Sequence, residues 1–406
     1  MPSWKGLKRG RKKIMQIPGN DWMLEIEFKS RKSIFASDQS SKDLLKKGFF
    51  GEEAGRRTML IPEEALYLID VRNAKCTSMG RGVSFNDIAA RFWSDKKFTA
   101  RYFTYKDWRD RGLVVRGTAS EYKPPDKTPV KSYPKAGLSL PDYSVSGIFF
   151  KSDLISIVDD NEKGKELYET LWFGQYGSYK AAERGQLNKL DVYESLFLME
   201  MGMLKLNISK QELIRLAKAR RADFLSLYEV YRDWREKGYV IKTGFKFGTH
   251  FRLYFPGAKP VKEGAKDWIH SKHVIHVFPR ESRLLISEWA RVIRVAHSVR
   301  KTFILAVTGG TVAKKVGIDF ILYHRKGGDA ENPDSAAPRY CMLSLSEEEY
   351  IGGAEFAGAI KAAKEKKMEL IVAIADRETS VTYYKVRQIK ISGSKNEYYE
   401  IDWMQP

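Results

Sequence analysis

The chain has 406 residues, 43% hydrophobic and 13% aromatic, a composition that supports two or three modest cores and argues against disorder. Lysine and arginine exceed aspartate and glutamate by 71 to 51. The net charge of +20 favours a polyanionic partner, nucleic acid above all; the alternative is a basic surface without a specific ligand. Two cysteines exclude a disulfide framework and a cysteine-based zinc site, and no apolar run could cross a bilayer, so we expect a cytoplasmic protein.

The first predicted element is a basic arm over residues 1–20. It begins MPSWKGLKRGRKKIM and contains no apolar signal core. Its cations either contact phosphate or belong to a frayed leader.

A long internal repeat follows the arm. YKDWRDRGLVV at 105–115 returns as YRDWREKGYVI at 231–241, and weaker upstream matches keep the same order. Residues 21–122 and 145–256 are therefore two copies of one small α+β unit, which we call the first and second N-half. Ser84 and Ser209 are candidate helix caps in the two copies. The proline-rich stretch between them, 123–144, is predicted to be an extended linker.

A fainter repeat occupies the rest of the chain. RVAHSVRKTFILAV at 294–307 resembles KAAKEKKMELIVAI at 361–374, each a helix running into a buried strand. The strand runs expected before them are HVIHVF at 273–278 and IDFILY at 318–323. We predict a first C-half over 257–307 with a helix at 287–301, a linker at 308–316 and a second C-half over 317–406. The fold class is α+β, built from tandem repeated small α/β units.

Three of the six histidines lie in WIHSKHVIHVF at 268–278. If 273–278 is a strand, His273 and His276 point to opposite faces and cannot share a metal, and the nearby acids form no ligand pattern. We therefore predict no metal site. His270 lies at the junction of loop and strand, where side chains are positioned but exposed. In the helix that follows, Arg294 and Lys301 share the face opposite the apolar one.

Three blocks resemble the archaeal tRNA-splicing endonucleases over 145–307, in the order of that family: YRDWREKGYVIKTGFKFGTHFRLY, HSKHVIHVF and VIRVAHSVRK. In the family, the tyrosine ending FRLY, the histidine of HSK and the lysine ending AHSVRK form a catalytic triad. They match Tyr254, His270 and Lys301. The order of N-half, N-half plus C-half, C-half resembles the three-unit class, which is expected to act as a homodimer.

The resemblance implies an endonuclease that cuts precursor tRNA at intron–exon junctions in bulge–helix–bulge motifs. The alternative is a noncatalytic RNA-binding or scaffold subunit with the same fold. The implied chemistry needs no metal or cofactor, because the RNA 2′-OH is the nucleophile, and it leaves a 2′,3′-cyclic phosphate and a 5′-OH. Tyr254 is expected to act as the base, with its pKa lowered by Lys301 and other cations, His270 as the acid, and Lys301 as the charge that stabilises the transition state.

Further residues are candidates for RNA contacts. Arg294 is expected to stack on a bulged base, or else to contact phosphate or remain a surface charge. The connection between Tyr254 and His270 is longer than the family's usual one, so that either the geometry of the site shifts or the basic residues of the connection add contacts to the substrate; they are Lys259, Lys262 and Lys266. Lys163 and Lys165 lie on a predicted loop that either contacts RNA or is solvated.

The remaining copies look noncatalytic. After the first N-half the sequence reads RGTASEYKPPDK, without a tyrosine-bearing strand, and in the second C-half Met368 aligns with Lys301 and no histidine aligns with His270. One active site per chain is therefore expected. ADRETSVTYY at 375–384 resembles the acidic loop by which the family docks subunits, with Asp376 and Glu378 as its charged tip; the alternative is a solvated hairpin turn.

Overall fold

The computed structural model describes residues 23–126, 130–179, 181–260, 269–310 and 316–406. The predicted basic arm, 1–20, lies outside the described residues. Within them, no helix is long and apolar enough to cross a membrane.

Helices and short strands alternate along the chain. The first N-half contains β1 (Glu25–Ser30), β2 (Ser33–Ala36), α1 (Gln39–Lys47), β3 (Glu52–Ala54), β4 (Arg57–Met59), α2 (Pro62–Arg72), β5 (Lys75–Ser78), β6 (Arg81–Gly82), α3 (Phe85–Ala89), α4 (Phe98–Asp110) and β7 (Val115–Gly117). After β8 (Lys131–Ser132), the second N-half contains β9 (Val145–Phe150), β10 (Ile155–Val158), α5 (Asn161–Leu171), β11 (Gln175–Tyr176), β12 (Asn188–Leu190), α6 (Val192–Glu200), β13 (Leu204–Leu206), α7 (Lys210–Arg220), α8 (Phe224–Arg235) and β14 (Val240–Thr243).

The C-terminal region is richer in strands. It contains β15 (Phe251–Tyr254), β16 (His273–Pro279), β17 (Arg283–Leu285), α9 (Ile286–Ser298), β18 (Thr302–Thr308), β19 (Phe320–Leu322), β20 (Arg325–Lys326), β21 (Asp329–Ala330), β22 (Tyr340–Ser346), β23 (Tyr350–Gly352), α10 (Gly353–Glu365), β24 (Glu369–Ala375), β25 (Val381–Lys390) and β26 (Glu397–Met404). Single 3₁₀ turns occur at Ala90–Phe92 and Phe245–Phe247.

The two N-halves share one topology. The first forms a sheet in the order β3-β4-β2-β1-β5-β6 and the second in the order β11-β12-β10-β9-β13. Both predicted caps are present, because Ser84 accepts a hydrogen bond from the amide of Asp87 and Ser209 one from the amide of Glu212. The repeated tryptophan, Trp108 or Trp234, is fully buried in each half. The α+β fold class of repeated units is confirmed.

One large sheet joins all four halves. Its order is β14-β15-β16-β18-β26-β25-β24-β22-β19-β7, so the hairpin of β25 and β26 lies at the centre and an N-half contributes the last strand on each side. The first N-half pairs through β7 with β19 of the second C-half, while the second N-half pairs through β14 with β15. The chain is therefore nested. We call residues 145–307 the inner unit, and the first N-half with the second C-half the outer unit.

Strand registers correct one prediction about the fainter repeat. His273 begins β16 and pairs with Thr302, and Tyr340 begins β22 and pairs with Glu369. The counterpart of HVIHVF is therefore β22, and IDFILY supplies β19, the counterpart of β15. Short apolar runs look alike in sequence, and the pairing partner decides which strand each becomes.

The linker contributes to the sheet as well. Its strand β8 lies parallel to β25, and Lys131 and Tyr133 both donate hydrogen bonds to the buried carboxylate of Glu400. These contacts tie residues 131–133 to the sheet between the two N-halves.

Candidate functional site

A cavity of about 490 Å³ opens in the inner unit where β15 ends. Tyr254, His270 and Arg252 contribute to its wall, and aromatic side chains, Trp172 and Phe247 among them, supply much of the rest. The cavity thus combines a phenol, an imidazole and a guanidinium on a largely apolar wall.

Tyr254 is the last residue of β15 and is almost fully buried. Its ring packs against Trp172, with the ring centroids 4.6 Å apart. Burial raises the pKa of Tyr254, while the charge of Arg252 and a hydrogen bond with Ser271 act in the lowering direction. The expectation that Lys301 lowers this pKa was wrong: burial outweighs the cations, and the cation that acts on the phenol is Arg252.

Lys301 follows α9 instead of ending it. The predicted helix over 287–301 was three residues too long, because α9 ends at Ser298 and Arg300 adopts a left-handed backbone conformation with φ of 54°. The amide of Lys301 donates to the carbonyl oxygen of Ala296 at 2.9 Å, which closes the helix end and directs the chain into β18.

The ammonium group of Lys301 is held at the edge of the cavity. Its Nζ donates to the carbonyl oxygen and to Oγ of Ser271, the latter at 3.0 Å, and lies 4.7 Å from the ring centroid of Phe247. Burial lowers the pKa of Lys301, and the charge of Arg252 lowers it further. Ser271 therefore connects Lys301 to Tyr254, since it hydrogen-bonds with both.

His270 is exposed at the mouth of the same cavity, next to the buried Ser271. The three side chains matched to the triad are thus brought to one place: two line the cavity, and the third is joined to it through Ser271. Sequence reasoning missed Arg252 and Ser271. The signals were present, because Arg252 lies two residues before Tyr254 on the same strand face and Ser271 follows His270 directly.

Arg294 lies away from this cavity. It is exposed on α9, and its charge acts on the pKa of Tyr384 in β25, a pKa that burial raises. Tyr384 pairs across the hairpin with Trp403, whose side chain is 56% exposed beside His297 in a shallow cavity of about 510 Å³. An exposed indole and a guanidinium therefore share the region around the end of β26. Sequence reasoning missed Trp403.

The predicted RNA-binding lysines divide into two groups. Lys163 and Lys165 lie in the first turns of α5 rather than on a loop, because Asp160 caps this helix by accepting from the amide of Lys163. Both lie within 4.0 Å of acids on or beside α5, and neither lines the cavity of Tyr254. Lys259 is exposed just after β15. Lys262 and Lys266 lie outside the described residues.

The acidic turn between β24 and β25 uses its two carboxylates differently. Asp376 accepts from the amides of Glu378 and Ser380 at 2.9 and 2.8 Å, so it stabilises the turn itself. Glu378 is exposed. Of the two carboxylates in the turn, that of Glu378 is therefore the one directed to solvent.

Comparison with known protein families gives two matches, one of which covers this site. The chain matches the family model described as tRNA intron endonuclease, catalytic C-terminal domain, over residues 224–316, a range that includes Tyr254, His270 and Lys301. Residues 24–89, in the first N-half, match the tRNA intron endonuclease N-terminal domain.

Curated relatives agree with these matches. The tRNA-splicing endonuclease of Methanopyrus kandleri is 38% identical over 135 residues, 32% of this chain and 71% of that protein. The chain belongs to the tRNA-splicing endonuclease family. The Methanococcoides burtonii member is 33% identical over 187 residues, 45% of this chain and 48% of that protein. The Methanosarcina acetivorans member is 26% identical over 349 residues, 71% of this chain and 95% of that protein. The chain is thus an endonuclease of tRNA processing, as the resemblance implied.

The outer unit of this splicing endonuclease keeps one triad position. Leu253 pairs with His273 and Leu322 with Tyr340, so the residues that follow, Tyr254 and Tyr323, are equivalent. No tyrosine-bearing strand follows the first N-half in sequence, but β19 from the far end of the chain pairs with β7 in its place and is followed directly by Tyr323. By the same registers Met368 takes the place of Lys301, and Ala337 stands three residues before β22 as His270 stands three residues before β16.

The described ranges, 23–126, 130–179, 181–260, 269–310 and 316–406, contain no group of three or more His, Cys, Asp or Glu side chains arranged to hold a metal ion. His273 and His276 lie on opposite faces of β16: His273 contacts Tyr133, whereas His276 contacts His250.

Proposed function

We propose that this endonuclease cleaves precursor tRNA at both intron–exon junctions of a bulge–helix–bulge motif, by metal-independent acid/base chemistry. The observation that carries the proposal is the convergence of Tyr254 and His270 on one cavity, with Lys301 held beside it by Ser271. A phenol, an imidazole and an ammonium group supply the base, the acid and the charge that in-line cleavage of RNA requires.

In the proposed reaction the 2′ oxygen attacks the adjacent phosphorus as its proton passes to Tyr254. The bond from phosphorus to the 5′ oxygen breaks, and His270 gives that oxygen a proton. Lys301 offsets the negative charge that accumulates on the phosphorane. The products are a 2′,3′-cyclic phosphate and a 5′-OH. Because burial raises the pKa of Tyr254, its role as base depends on cations that oppose this effect.

We further propose that two chains act together. The inner unit supplies one set of Tyr254, His270 and Lys301, whereas a bulge–helix–bulge motif presents two junctions, so a homodimer places one site at each. The exposed Glu378 on the acidic turn is the candidate docking charge, and Asp376 keeps this turn in shape. Arg294, near Trp403, is the candidate for gripping a bulged base by stacking. Lys259, Lys262, Lys266, Lys163 and Lys165 stay candidates for phosphate contacts.

The test is cleavage of an end-labelled bulge–helix–bulge RNA in EDTA by the parent chain, His270→Ala and Lys301→Ala. We expect the parent to cut in chelator and leave a cyclic phosphate, and each variant to lose roughly 10²- to 10⁴-fold in rate. Loss of parental cleavage in EDTA would contradict the metal-independent chemistry. RNA binding without cleavage by the parent would favour a scaffold subunit.

A further inference from the structure

Arg252 lines the cavity together with Tyr254 and His270. It is the second residue of β15, two before Tyr254, so both side chains project from the same face of the strand. The guanidinium carbon lies 5.8 Å from the centroid of the Tyr254 ring. Among the described residues, its buried Nε has no hydrogen-bond acceptor. A buried guanidinium nitrogen without an acceptor is costly, which points to an oxygen that the free protein does not supply.

The charge of Arg252 reaches two members of the proposed triad. It acts to lower the pKa of Tyr254 and also that of Lys301. Two cations held near each other repel, and an anion bound between them converts this repulsion into attraction. The RNA phosphodiester is the anion that the proposed reaction brings to the cavity. Arginine suits this position because its planar fork can donate to two phosphate oxygens at once.

The outer unit offers an internal comparison. Arg252 pairs with Val274, and the equivalent residue Ile321 pairs with Cys341. The outer unit therefore keeps the tyrosine at 323 but has an apolar side chain where the inner unit has Arg252. The equivalent strand of the outer unit forms without a cation at this position, so the requirements of folding alone do not explain Arg252.

We propose that Arg252 is a fourth catalytic side chain of the inner unit, a guanidinium that binds the scissile phosphate beside Tyr254 and Lys301. This inference rests on the proposed function of that cavity. Arg252 would share with Lys301 the charge that develops on the phosphorane. It would also favour the deprotonated phenol, which burial otherwise disfavours.

The experiment compares Arg252→Met and Arg252→Lys with the parent in single-turnover cleavage of a bulge–helix–bulge RNA at saturating protein, across pH. We expect Arg252→Met to cut roughly 10² to 10³ times more slowly. Arg252→Lys keeps a positive charge and should cut about tenfold faster than Arg252→Met. The rise in rate that follows deprotonation of Tyr254 and the fall that follows deprotonation of Lys301 should both move to higher pH in Arg252→Met, because a cation that lowers both pKa values is gone.

Matched measurements separate this role from simpler ones. Arg215→Met removes a cation of an exposed ion pair on α7 and should cut at the parental rate, which controls for total charge. Binding of an RNA with 2′-deoxy substitutions at the cleavage sites reports affinity without cleavage. The proposal is overturned if Arg252→Met cuts within threefold of the parent at saturation, or if the variant binds RNA more weakly but cleaves bound RNA at the parental rate. It is also overturned if Arg252→Lys cuts no faster than Arg252→Met and both variants melt at a lower temperature than the parent.

His270→Ala in the same assay distinguishes a failure of the role proposed for Arg252 from a failure of the proposed site. If His270→Ala loses cleavage and Arg252→Met does not, the role of Arg252 is wrong and the site stands. If His270→Ala cuts normally, the proposed site is wrong, and Arg252 loses its role with it.

Discussion

The inner and outer units are built on one plan but differ in the side chains at equivalent positions of their strands and loops. Both have an N-half joined by its last strand to a C-half, and both place a tyrosine at the end of the equivalent strand, Tyr254 as the last residue of β15 and Tyr323 just after β19. Around that tyrosine the inner unit has Arg252, His270 and Lys301. The outer unit has Ile321, Ala337 and Met368 instead. The shared tyrosine is compatible with packing in either unit, so a difference in activity between the units would depend on the three residues that differ.

Each N-half also contains an ion pair at the same position of its last strand, buried in the inner unit and half-exposed in the outer one. In the inner unit Lys242 donates to Glu194 and, at 2.8 Å, to the carbonyl oxygen of Gly174. In the outer unit Arg116 occupies the same strand position and pairs with the half-exposed Glu52, while burial raises the pKa of the nearby Glu64 to about 7. Glu64 can therefore take up a proton near neutral pH, and loss of Arg116 would raise its pKa further.

Lys242→Met should have the largest effect on stability. It leaves the buried carboxylate of Glu194 without its cation, which typically costs about 3 to 5 kcal/mol. Arg116→Met should cost less, because Glu52 is solvated and Glu64 can be protonated. Hydrogen exchange resolved to the two N-halves measures both changes in local opening free energy. An equal loss in the two variants would contradict the assigned difference between the pairs.

Acid should destabilise the inner unit more than the outer one. The rings of His250 and His276 lie 4.4 Å apart, and burial lowers their pKa values to about 2 and about 4. Below about pH 6.5 the two imidazoles bind protons in the unfolded chain but stay neutral in the folded one. The free energy of unfolding therefore decreases as the pH falls from about 6.5. The slope is at most about 1.4 kcal/mol per pH unit for each histidine.

His276→Leu tests this pH dependence, because Leu343 stands at the equivalent position of the outer unit. The variant should show a flatter decline in the thermal midpoint between pH 6.5 and 4 than the parent. An unchanged decline would mean that other groups control the acid sensitivity.

The smallest expected effect concerns the acidic turn of the second C-half. Glu378→Lys reverses the proposed docking charge without touching Asp376, which the turn needs. We expect the dimer to weaken by about tenfold, roughly 1.4 kcal/mol, as measured by sedimentation equilibrium of the 46.7 kDa chain. Glu53→Lys makes the same charge change on an exposed hairpin of the first N-half. Equal behaviour of the two variants would remove Glu378 from the interface.

Local features of the fold could be predicted from the sequence. The repeated aromatic block identified the paired N-halves, and Ser84 and Ser209 were recognised as caps because a cap depends on residues close in the chain. The nested arrangement could not be predicted. Pairing of β7 with β19 joins strands about two hundred residues apart, and the apolar run IDFILY fits either of two strand positions.

In the candidate site, too, some features could be predicted from the sequence and others could not. Tyr254, His270 and Lys301 could be named because their blocks resemble a known family. The end of α9 at Ser298 could not be predicted, since the left-handed position is occupied by Arg300 rather than by glycine. The net direction of the Tyr254 pKa depends on burial against Trp172, a contact made only in the folded chain.

We propose that the inner unit carries the cleavage chemistry and the outer unit does not. The most direct measurement is single-turnover cleavage by Lys301→Met, which gives the inner site the residue of the outer one, beside Met368→Leu at the equivalent outer position. We predict that Lys301→Met loses roughly 10² to 10³ in rate and that Met368→Leu cuts like the parent. Parental cleavage by Lys301→Met, or a comparable loss in Met368→Leu, would contradict the claim.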